Sequence, residues 1–288
     1  MRTSIERTYG IRRRWSVGAR RGSSAPFRGP TMSARQPLLF HAVIRSAPEP
    51  TRKATNQGPF LRVVLLHGWL QDCTSWLQVA SALSCKGHDV LLVDWPHHGH
   101  SPSAVELGLQ MSPSGWLDGL EVLLAHLQWD SGPPLAVAGC SLGGALSMLY
   151  ALRRPERVAR LTLIAPAGLP EPVWNAPFWL CSTLAKQIPH PIFNVVRTTP
   201  TYGLTPKCVE SIARRLGPTG AMRVVVAEYD LVHTPHTAFW TEMLPPRSVT
   251  LLPRTTHWWA CTHLFGLRLH EEPECWGRPN SLSLRSRL

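Results

Sequence analysis

Short, continuous apolar runs alternate along the chain with segments in which apolar residues recur every three or four positions. The continuous runs predict buried β-strands, and the helical spacing predicts amphipathic helices. Strands that alternate with helices favour a mostly parallel sheet with helices on both faces, so the predicted fold class is α/β. The predicted strands cover 38–46, 60–66, 88–95, 135–138, 160–165, 223–227 and 248–253, and the predicted helices cover 75–84, 113–127 and 142–153.

The fourth predicted strand leads directly into Gly139-Cys140-Ser141-Leu142-Gly143, and a helix rich in small residues follows. A serine in such a Gly-x-Ser-x-Gly turn presents its hydroxyl to a substrate. Gly139 and Gly143 permit close backbone contacts that side chains would block. The helix directs free amides and the positive end of its dipole at the serine, which suits a developing oxyanion. Because this short pattern also arises by chance at ordinary strand–helix junctions, the rest of the chain has to decide.

A nucleophilic serine needs a base that removes its proton and an acid that orients the base. Asp230 and His257 each follow a predicted strand, and the order Ser141, Asp230, His257 is a known order of the catalytic triad. Glu228 competes for the role of the acid, since residues two apart in a strand face the same way. We favour Asp230 because of its position in the triad order. Taken singly, Asp230 could cap a helix and His257 could be an ordinary loop histidine.

The sequence His67-Gly68-Trp69 follows another predicted strand. The backbone amides of Trp69 and Leu142 are expected to converge on the substrate oxygen and to form an oxyanion hole. We expect His67 to bond the loop and not to act as the base.

The formal net charge of +12 is concentrated in residues 1–36, where nine arginines accompany one acidic residue. The rest of the chain carries only +4, so a nucleic-acid-binding function is not favoured. An arginine-rich, acid-poor leader is typical of a transit peptide, and we expect residues 1–36 to be a disordered leader to a mitochondrion or plastid. The alternatives are a basic tail of a cytoplasmic protein or a true start at Met32.

Seven cysteines are an odd number, widely spaced and without a Cys-x-x-Cys pair. This usage favours reduced thiols inside the cell over a disulfide framework. His97, His98 and His100 could together bind zinc, but Asp94 is the one evident partner, and we expect a solvated loop without a metal. The sequence has no run of about 18 apolar residues, so no transmembrane segment is predicted.

Between residues 168 and 217 the alternation of strands and helices stops, and prolines and aromatic residues become frequent. We predict an insertion over the carboxyl edge of the sheet, a lid that forms the apolar wall of a substrate pocket. The alternative is a surface connection without a ligand role, although unstructured loops of this length are uncommon.

Four motifs occur in order at 66–69, 94–101, 139–144 and 228–230. They are similar to the His-Gly oxyanion loop, the Asp-x-Pro-Gly-x-Gly-x-Ser turn, the nucleophile elbow and the acid turn of α/β-hydrolases. The chain therefore resembles this family, in its esterase- and lipase-like branch, over residues 38–265. The resemblance implies the α/β-hydrolase fold but says little about the substrate, because this fold hosts many chemistries.

Three features depart from the family pattern. His97 stands where the family usually has glycine, so the turn must tolerate a side chain or change its geometry. Arg254-Thr255-Thr256 replaces the usual glycine before His257. The tail, residues 266–288, does not resemble the amphipathic helix that ends the family's fold.

These features predict a serine hydrolase for a small carboxylic ester or thioester, with an amide as the less favoured substrate. The acyl or alcohol part of the substrate is expected to be fairly apolar. The predicted reaction needs no cofactor. Acyl transfer by the same triad remains an alternative, and so does a hydrolase-fold receptor or interaction protein without activity.

Overall fold

The computed structural model describes residues 5–7, 37–45, 62–169, 202–230, 237–271 and 273–276. Within these ranges eight strands form one sheet. They are β1 (Ile5–Arg7), β2 (His41–Ile44), β3 (Arg62–Leu66), β4 (Asp89–Val93), β5 (Leu135–Cys140), β6 (Val158–Ile164), β7 (Met222–Tyr229) and β8 (Val249–Thr256).

The strand order across the sheet is β1-β2-β4-β3-β5-β6-β7-β8. β2 pairs antiparallel with β1 and with β4, whereas all neighbours from β4 to β8 are parallel. The predicted mostly parallel sheet is therefore confirmed. Since the parallel strands end at the same edge, the residues that follow β3, β5, β7 and β8 are brought to one side of the molecule.

The helices of the described residues are α1 (Leu77–Cys85), α2 (Pro113–His126), α3 (Leu142–Arg153), α4 (Pro206–Leu216), α5 (Thr237–Met243), α6 (His257–Thr262) and α7 (Pro273–Trp276). Short 3-10 helices lie at Cys73–Trp76, Pro155–Arg157, Pro246–Ser248 and Leu269–Glu271. Helices α2 and α4 begin alike: the side chain of Ser112 or Thr205 accepts a backbone N–H of the first turn, and a proline follows it. Proline suits this position because the first helical N–H groups have no partner inside the helix.

Both faces of the central strands are buried. In β3, Val64 and Leu66 belong to a core cluster that includes residues of α2, α3 and α4, whereas Val63 and Leu65 belong to a second cluster with residues of α1 and α6. Alternate residues of a strand face opposite sides, so burial of both faces requires an uninterrupted apolar run. This explains why the central strands could be predicted from continuous hydrophobicity.

Part of the predicted lid lies in the body of the fold. Helix α4 buries Val209, Ile212, Ala213 and Leu216 in the core cluster that contains α3. The proline- and aromatic-rich part, 170–201, lies outside the described residues, so the lid stays a prediction.

The two ends of the chain also contribute to the described fold. Three residues of the predicted leader form β1, which pairs with β2; the others of residues 1–36 lie outside the described residues, and a targeting role stays a prediction. In the tail, Leu269 and Trp276 are buried in the second core cluster, and the Trp276 indole N–H donates to the carbonyl of Leu269 at 2.7 Å. The tail therefore covers part of the sheet without a long amphipathic helix in its described residues. No helix of the described residues has the length and apolar character needed to cross a membrane.

Candidate active site

Ser141 lies between β5 and α3 in a strained backbone conformation, with φ 50° and ψ −118°. A non-glycine residue with positive φ needs support from its surroundings. The Ser141 N–H donates to the carbonyl of Ile164 at 3.0 Å, and the Ser141 carbonyl accepts from Ala145 N and Ala167 N, both at 3.1 Å. The neighbouring strand β6 and the first turn of α3 thus hold the turn that presents the hydroxyl.

The two glycines of this turn stand where backbone segments meet. A Cβ atom on Gly139 would overlap the carbonyl of Gly143, and one on Gly143 would overlap the carbonyl of Leu66 at the end of β3. The close approach expected from the Gly-x-Ser-x-Gly pattern is present at both positions. It seats α3 directly against the ends of β3 and β5.

The structure brings Ser141, His257 and Asp230 into one hydrogen-bonded series. His257 Nε2 lies 3.0 Å from Ser141 Oγ, and His257 Nδ1 lies 2.7 Å from Asp230 Oδ2. The three residues are 7–8% exposed. They come from the carboxyl ends of β5, β7 and β8, so the parallel sheet brings together residues up to 116 positions apart.

Glu228, the rival acid, has another partner. Its carboxylate accepts the backbone N–H of Arg254 at 2.6 Å, and both residues are exposed. The register between β7 and β8 shifts there, because Ala227 pairs with Leu252 and Tyr229 pairs with Thr256. Arg254 lies in this irregular stretch with φ 52°. Glu228 therefore stabilises the strand irregularity before His257, and Asp230 is the carboxylate that contacts the imidazole.

His257 is the first residue of α6, and its position depends on a helix cap. Thr256 is the N-cap residue, and its Oγ1 accepts the N–H of Trp259 at 3.3 Å. This cap satisfies an N–H group of the first turn that has no partner within the helix. The imidazole is thereby mounted on the junction between β8 and α6.

The loop after β3 passes beside the nucleophile. A Cβ atom on Gly68 would lie 3.3 Å from Ser141 Cβ. His67 Nδ1 lies 2.7 Å from the Gly68 carbonyl oxygen, and Trp95 N–H donates to His67 Nε2 at 3.1 Å. Since Nε2 accepts, Nδ1 carries the proton and donates to Gly68. The C=O and N–H of a trans peptide point in opposite directions, so this bond fixes the direction of the Trp69 amide.

His67 remains neutral in this environment. Burial, aided by the nearby His98, lowers the pKa of His67 to about 3. A neutral imidazole with one donor and one acceptor matches the two bonds that it makes. The expectation that His67 bonds the loop and is not the base agrees with this geometry. Leu142 is the first residue of α3, whose initial amides lack intrahelical acceptors, as the predicted oxyanion role requires.

The turn after β4 differs from the solvated loop that we expected. His98 is buried; its Nδ1 lies 3.0 Å from the Pro96 carbonyl, and its ring contacts Trp116 edge-on. Burial lowers the pKa of His98. Asp94 accepts backbone N–H bonds from Cys73 at 2.6 Å and from His100 at 2.9 Å. The expectation of a solvated histidine cluster was wrong for His98, because sequence spacing does not reveal the aromatic side chains that cover it.

The turn also shows how the family's glycine is replaced. His97 has φ 65°, the left-handed region that glycine adopts without strain. Its N–H donates to the Pro102 carbonyl at 3.3 Å, and its Nε2 accepts from Ala104 N at 3.3 Å.

Among the residues that the structure describes, no three histidine, cysteine or acidic side chains form a group suited to a metal ion.

One neighbour of the site was missed from the sequence. Cys261 is one helical turn after His257, and its Sγ lies 3.8 Å from His257 Nε2. A hydrogen bond with the Cys140 thiol, together with burial, raises the pKa of Cys261 well above its usual value. Cys261 is thus an uncharged thiol beside the imidazole nitrogen that faces Ser141. The available signal was the four-residue spacing from His257 on a helix.

Comparisons with known proteins agree with this architecture. The family model described as alpha/beta hydrolase fold matches residues 62–189. The pimeloyl-(acyl-carrier protein) methyl ester esterase of Chromobacterium violaceum is 35% identical over 109 residues, which cover 38% of this chain and 37% of that protein. The sn-1-specific diacylglycerol lipase of Mus musculus is 34% identical over 112 residues, which cover 37% of this chain and 33% of that protein. The acetyltransferase component of the acetoin cleaving system of Pseudomonas putida is 38% identical over 115 residues, which cover 38% of this chain and 28% of that protein.

Solved structures share the fold at low sequence identity. An alpha/beta hydrolase enzyme from a Medee basin deep-sea metagenome library has a TM-score of 0.56 at 14% identity, covering 81% of this chain and 91% of that chain. The meta-cleavage product hydrolase of Pseudomonas fluorescens IP01 has a TM-score of 0.56 at 17% identity, and the match covers 81% of this chain and 92% of that chain. The chain has the α/β-hydrolase fold, and the proteins to which it is similar include esterases and lipases. It spans about a third of the length of the curated relatives that it matches.

Proposed function

We propose that this chain is a serine hydrolase that cleaves carboxylic esters or thioesters through an acyl-enzyme. The observation that carries the proposal is the hydrogen-bonded series from Ser141 Oγ through His257 to Asp230, with distances of 3.0 and 2.7 Å. Relatives named as a methyl ester esterase and a diacylglycerol lipase support ester cleavage as the reaction class.

In the proposed acylation step, His257 Nε2 takes the proton of Ser141 as the hydroxyl oxygen attacks the substrate carbonyl carbon. Asp230 keeps a proton on His257 Nδ1, so that the lone pair of Nε2 faces the serine. The carboxylate also stabilises the imidazolium that forms. The amides of Trp69 and Leu142 donate to the oxyanion, and a single such donor contributes roughly 3 to 4 kcal/mol to the transition state of a comparable enzyme.

Collapse of the tetrahedral intermediate breaks the bond to the leaving alcohol or thiol, which receives the proton from His257. Water then attacks the acyl-enzyme after His257 removes its proton, and the carboxylic acid leaves as Ser141 is reprotonated. Every proton moves through His257, so no cofactor has a step to perform. We propose that the substrate is small and fairly apolar, with its acyl chain beneath the predicted lid.

The test is turnover of p-nitrophenyl esters with acyl chains from C2 to C16 by the full chain and by Ser141→Ala. We expect hydrolysis by the wild type and a loss of kcat on the order of 10⁶-fold in the variant, as in other triads that lose their serine. Ser211→Ala removes an exposed hydroxyl on α4 and is the matched control. Activity that persists in Ser141→Ala would refute the proposed nucleophile.

Acyl transfer is the second candidate, favoured by the similarity to the acetyltransferase component from Pseudomonas putida. A triad transfers the acyl group when an alcohol or thiol replaces water at the acyl-enzyme. Adding alcohols or thiols to the ester assay separates the two reactions, because an acyltransferase forms the new ester or thioester in preference to the free acid. A folded wild type that neither hydrolyses esters nor reacts with a fluorophosphonate would favour a non-catalytic role.

A further inference from the structure

The side chain of Gln71 bonds three segments of the proposed active site. Its Oε1 accepts the backbone N–H of Gly68 at 2.8 Å, in the loop that carries Trp69. The same oxygen accepts from the thiol of Cys140 at 3.2 Å, one residue before the nucleophile. Its Nε2 donates to the carbonyl of Cys261 at 2.9 Å, in the helix that begins with His257.

The partners of Gln71 require an amide at this position. The Gly68 N–H needs an acceptor, whereas the Cys261 carbonyl needs a donor. A glutamine supplies both the acceptor and the donor from one planar amide group. The two partners also determine the orientation of the amide, because its oxygen must face the Gly68 N–H and its nitrogen must face the Cys261 carbonyl. A carboxylate would bring negative charge against the Cys261 carbonyl, and a lysine could not accept from Gly68.

The bonds of Gln71 complement those of His67. Gln71 fixes the peptide between His67 and Gly68 by accepting the N–H of Gly68. His67 fixes the next peptide by donating to the Gly68 carbonyl. Two consecutive peptide planes are therefore held, and the second contains the Trp69 amide. Gln71 also donates to the carbonyl of Cys261, which lies 190 residues further along the chain. Gln71 therefore links this loop to the helix that carries the base.

We propose that Gln71 is a positioning residue that sets the oxyanion amide of Trp69 and the imidazole of His257 relative to Ser141. The inference rests on the proposed function, because it assigns Gln71 to that reaction. Gln71 does not touch the reacting atoms in this arrangement. It acts by fixing the geometry between donor, base and nucleophile, where a displacement of about 1 Å can reduce the rate about 100-fold.

The test compares Gln71→Leu, which removes all three bonds, with Gln71→Glu, which keeps the acceptor and loses the donor. Gln78→Leu is the matched control, since it makes the same change on the exposed face of α1. The measurements are kcat and KM on the best p-nitrophenyl ester, the inhibition constant of an alkylboronic acid, and thermal unfolding. The boronic acid forms a tetrahedral adduct with a serine, so its affinity reports on the oxyanion geometry.

We expect Gln71→Leu to lose about 100-fold in kcat with little change in KM, and to bind the boronic acid more weakly to a similar extent. Gln71→Glu should lose less. Its activity relative to the wild type should rise as the pH falls, because a protonated carboxyl again donates to the Cys261 carbonyl. A purely structural role would not produce this pH dependence. If Gln71→Leu fails to fold, Gln71→Glu decides.

Wild-type kcat and boronic acid affinity in both Gln71 variants would overturn the inference, and so would a loss that Gln78→Leu shares. Amide hydrogen exchange at Gly68 provides a readout that does not depend on activity. Exchange should accelerate in Gln71→Leu, and an unchanged rate would also overturn it. Failure of the proposed function looks different, since the wild type itself would then neither hydrolyse esters nor react with a fluorophosphonate.

Discussion

Replacement of Asp230 by asparagine tests both the proposed triad and the choice between two carboxylates. The bond from His257 Nδ1 to Asp230 Oδ2 is 2.7 Å long, and both side chains are less than a tenth exposed. Solvent therefore screens this pair little, and an ionised acceptor makes the bond a strong one. An asparagine amide turned towards Nδ1 would donate to it and favour the tautomer with the proton on Nε2. That tautomer cannot accept the proton of Ser141.

The expected loss follows from this tautomer. The same change in another serine hydrolase with this triad lowers kcat about 10⁴-fold. At about 1.36 kcal/mol per factor of ten, the loss corresponds to about 5 kcal/mol of transition-state stabilisation. The assay is ester hydrolysis at saturating substrate, with thermal unfolding to establish that the variant is folded.

Glu228→Gln is the matched control, because Glu228 is two residues away, exposed and bonded to the backbone of Arg254. We expect its kcat to stay within a few-fold of the wild type, since it does not touch the imidazole. The reasoning is refuted if Asp230→Asn keeps a tenth of the activity, or if Glu228→Gln loses more than Asp230→Asn.

Two further predictions concern stability. His67 has a pKa of about 3 in the folded state and an ordinary value of 6.5 in the unfolded chain, so below pH 6.5 the unfolded state binds a proton that the folded state does not. The contribution of this residue should therefore lower the free energy of unfolding by up to about 1.4 kcal/mol for each unit that the pH falls. Urea titrations at several pH values between 7 and 4 measure this free energy, and it should depend less on pH in His67→Gln than in the wild type. Gly143→Ala should be destabilising by about 2 to 4 kcal/mol, because the new Cβ would overlap the carbonyls of Leu66 and His67. Helix propensity alone predicts a gain of roughly 1 kcal/mol, so a more stable variant in urea denaturation would contradict the close approach.

The features that the sequence could predict depend on local pattern or on strand direction. Continuous apolar runs identified the central strands because both faces of these strands are buried. Ser141 and Asp230 follow such strands, whereas His257 follows the partly exposed edge strand β8. Parallel strands bring the carboxyl ends of all three to one edge. The proximity of the three residues could therefore be expected, whereas their distances could not.

The features that escaped the sequence are contacts between distant segments. Gln71 and Cys261 are separated by 190 residues, and no spacing connects them. The burial of His98 depends on Trp116 of α2, which the local turn does not specify. The sequence pattern places helix α4 in the predicted lid because prolines and aromatic residues extend close to it, but the apolar face of α4 packs in the core. Each of these outcomes is decided by tertiary packing.

The departure from the family pattern before His257 bears directly on which acid the site uses. Arg254 occupies a left-handed conformation that costs a non-glycine residue about 1 to 2 kcal/mol. The bond from its N–H to the Glu228 carboxylate offsets part of this cost. That bond holds Glu228 at the edge between β7 and β8 and leaves Asp230 as the carboxylate that meets the imidazole. The residue that replaces the expected glycine thus also engages the competing acid, which explains how this chain accommodates two carboxylates so close together on one strand end.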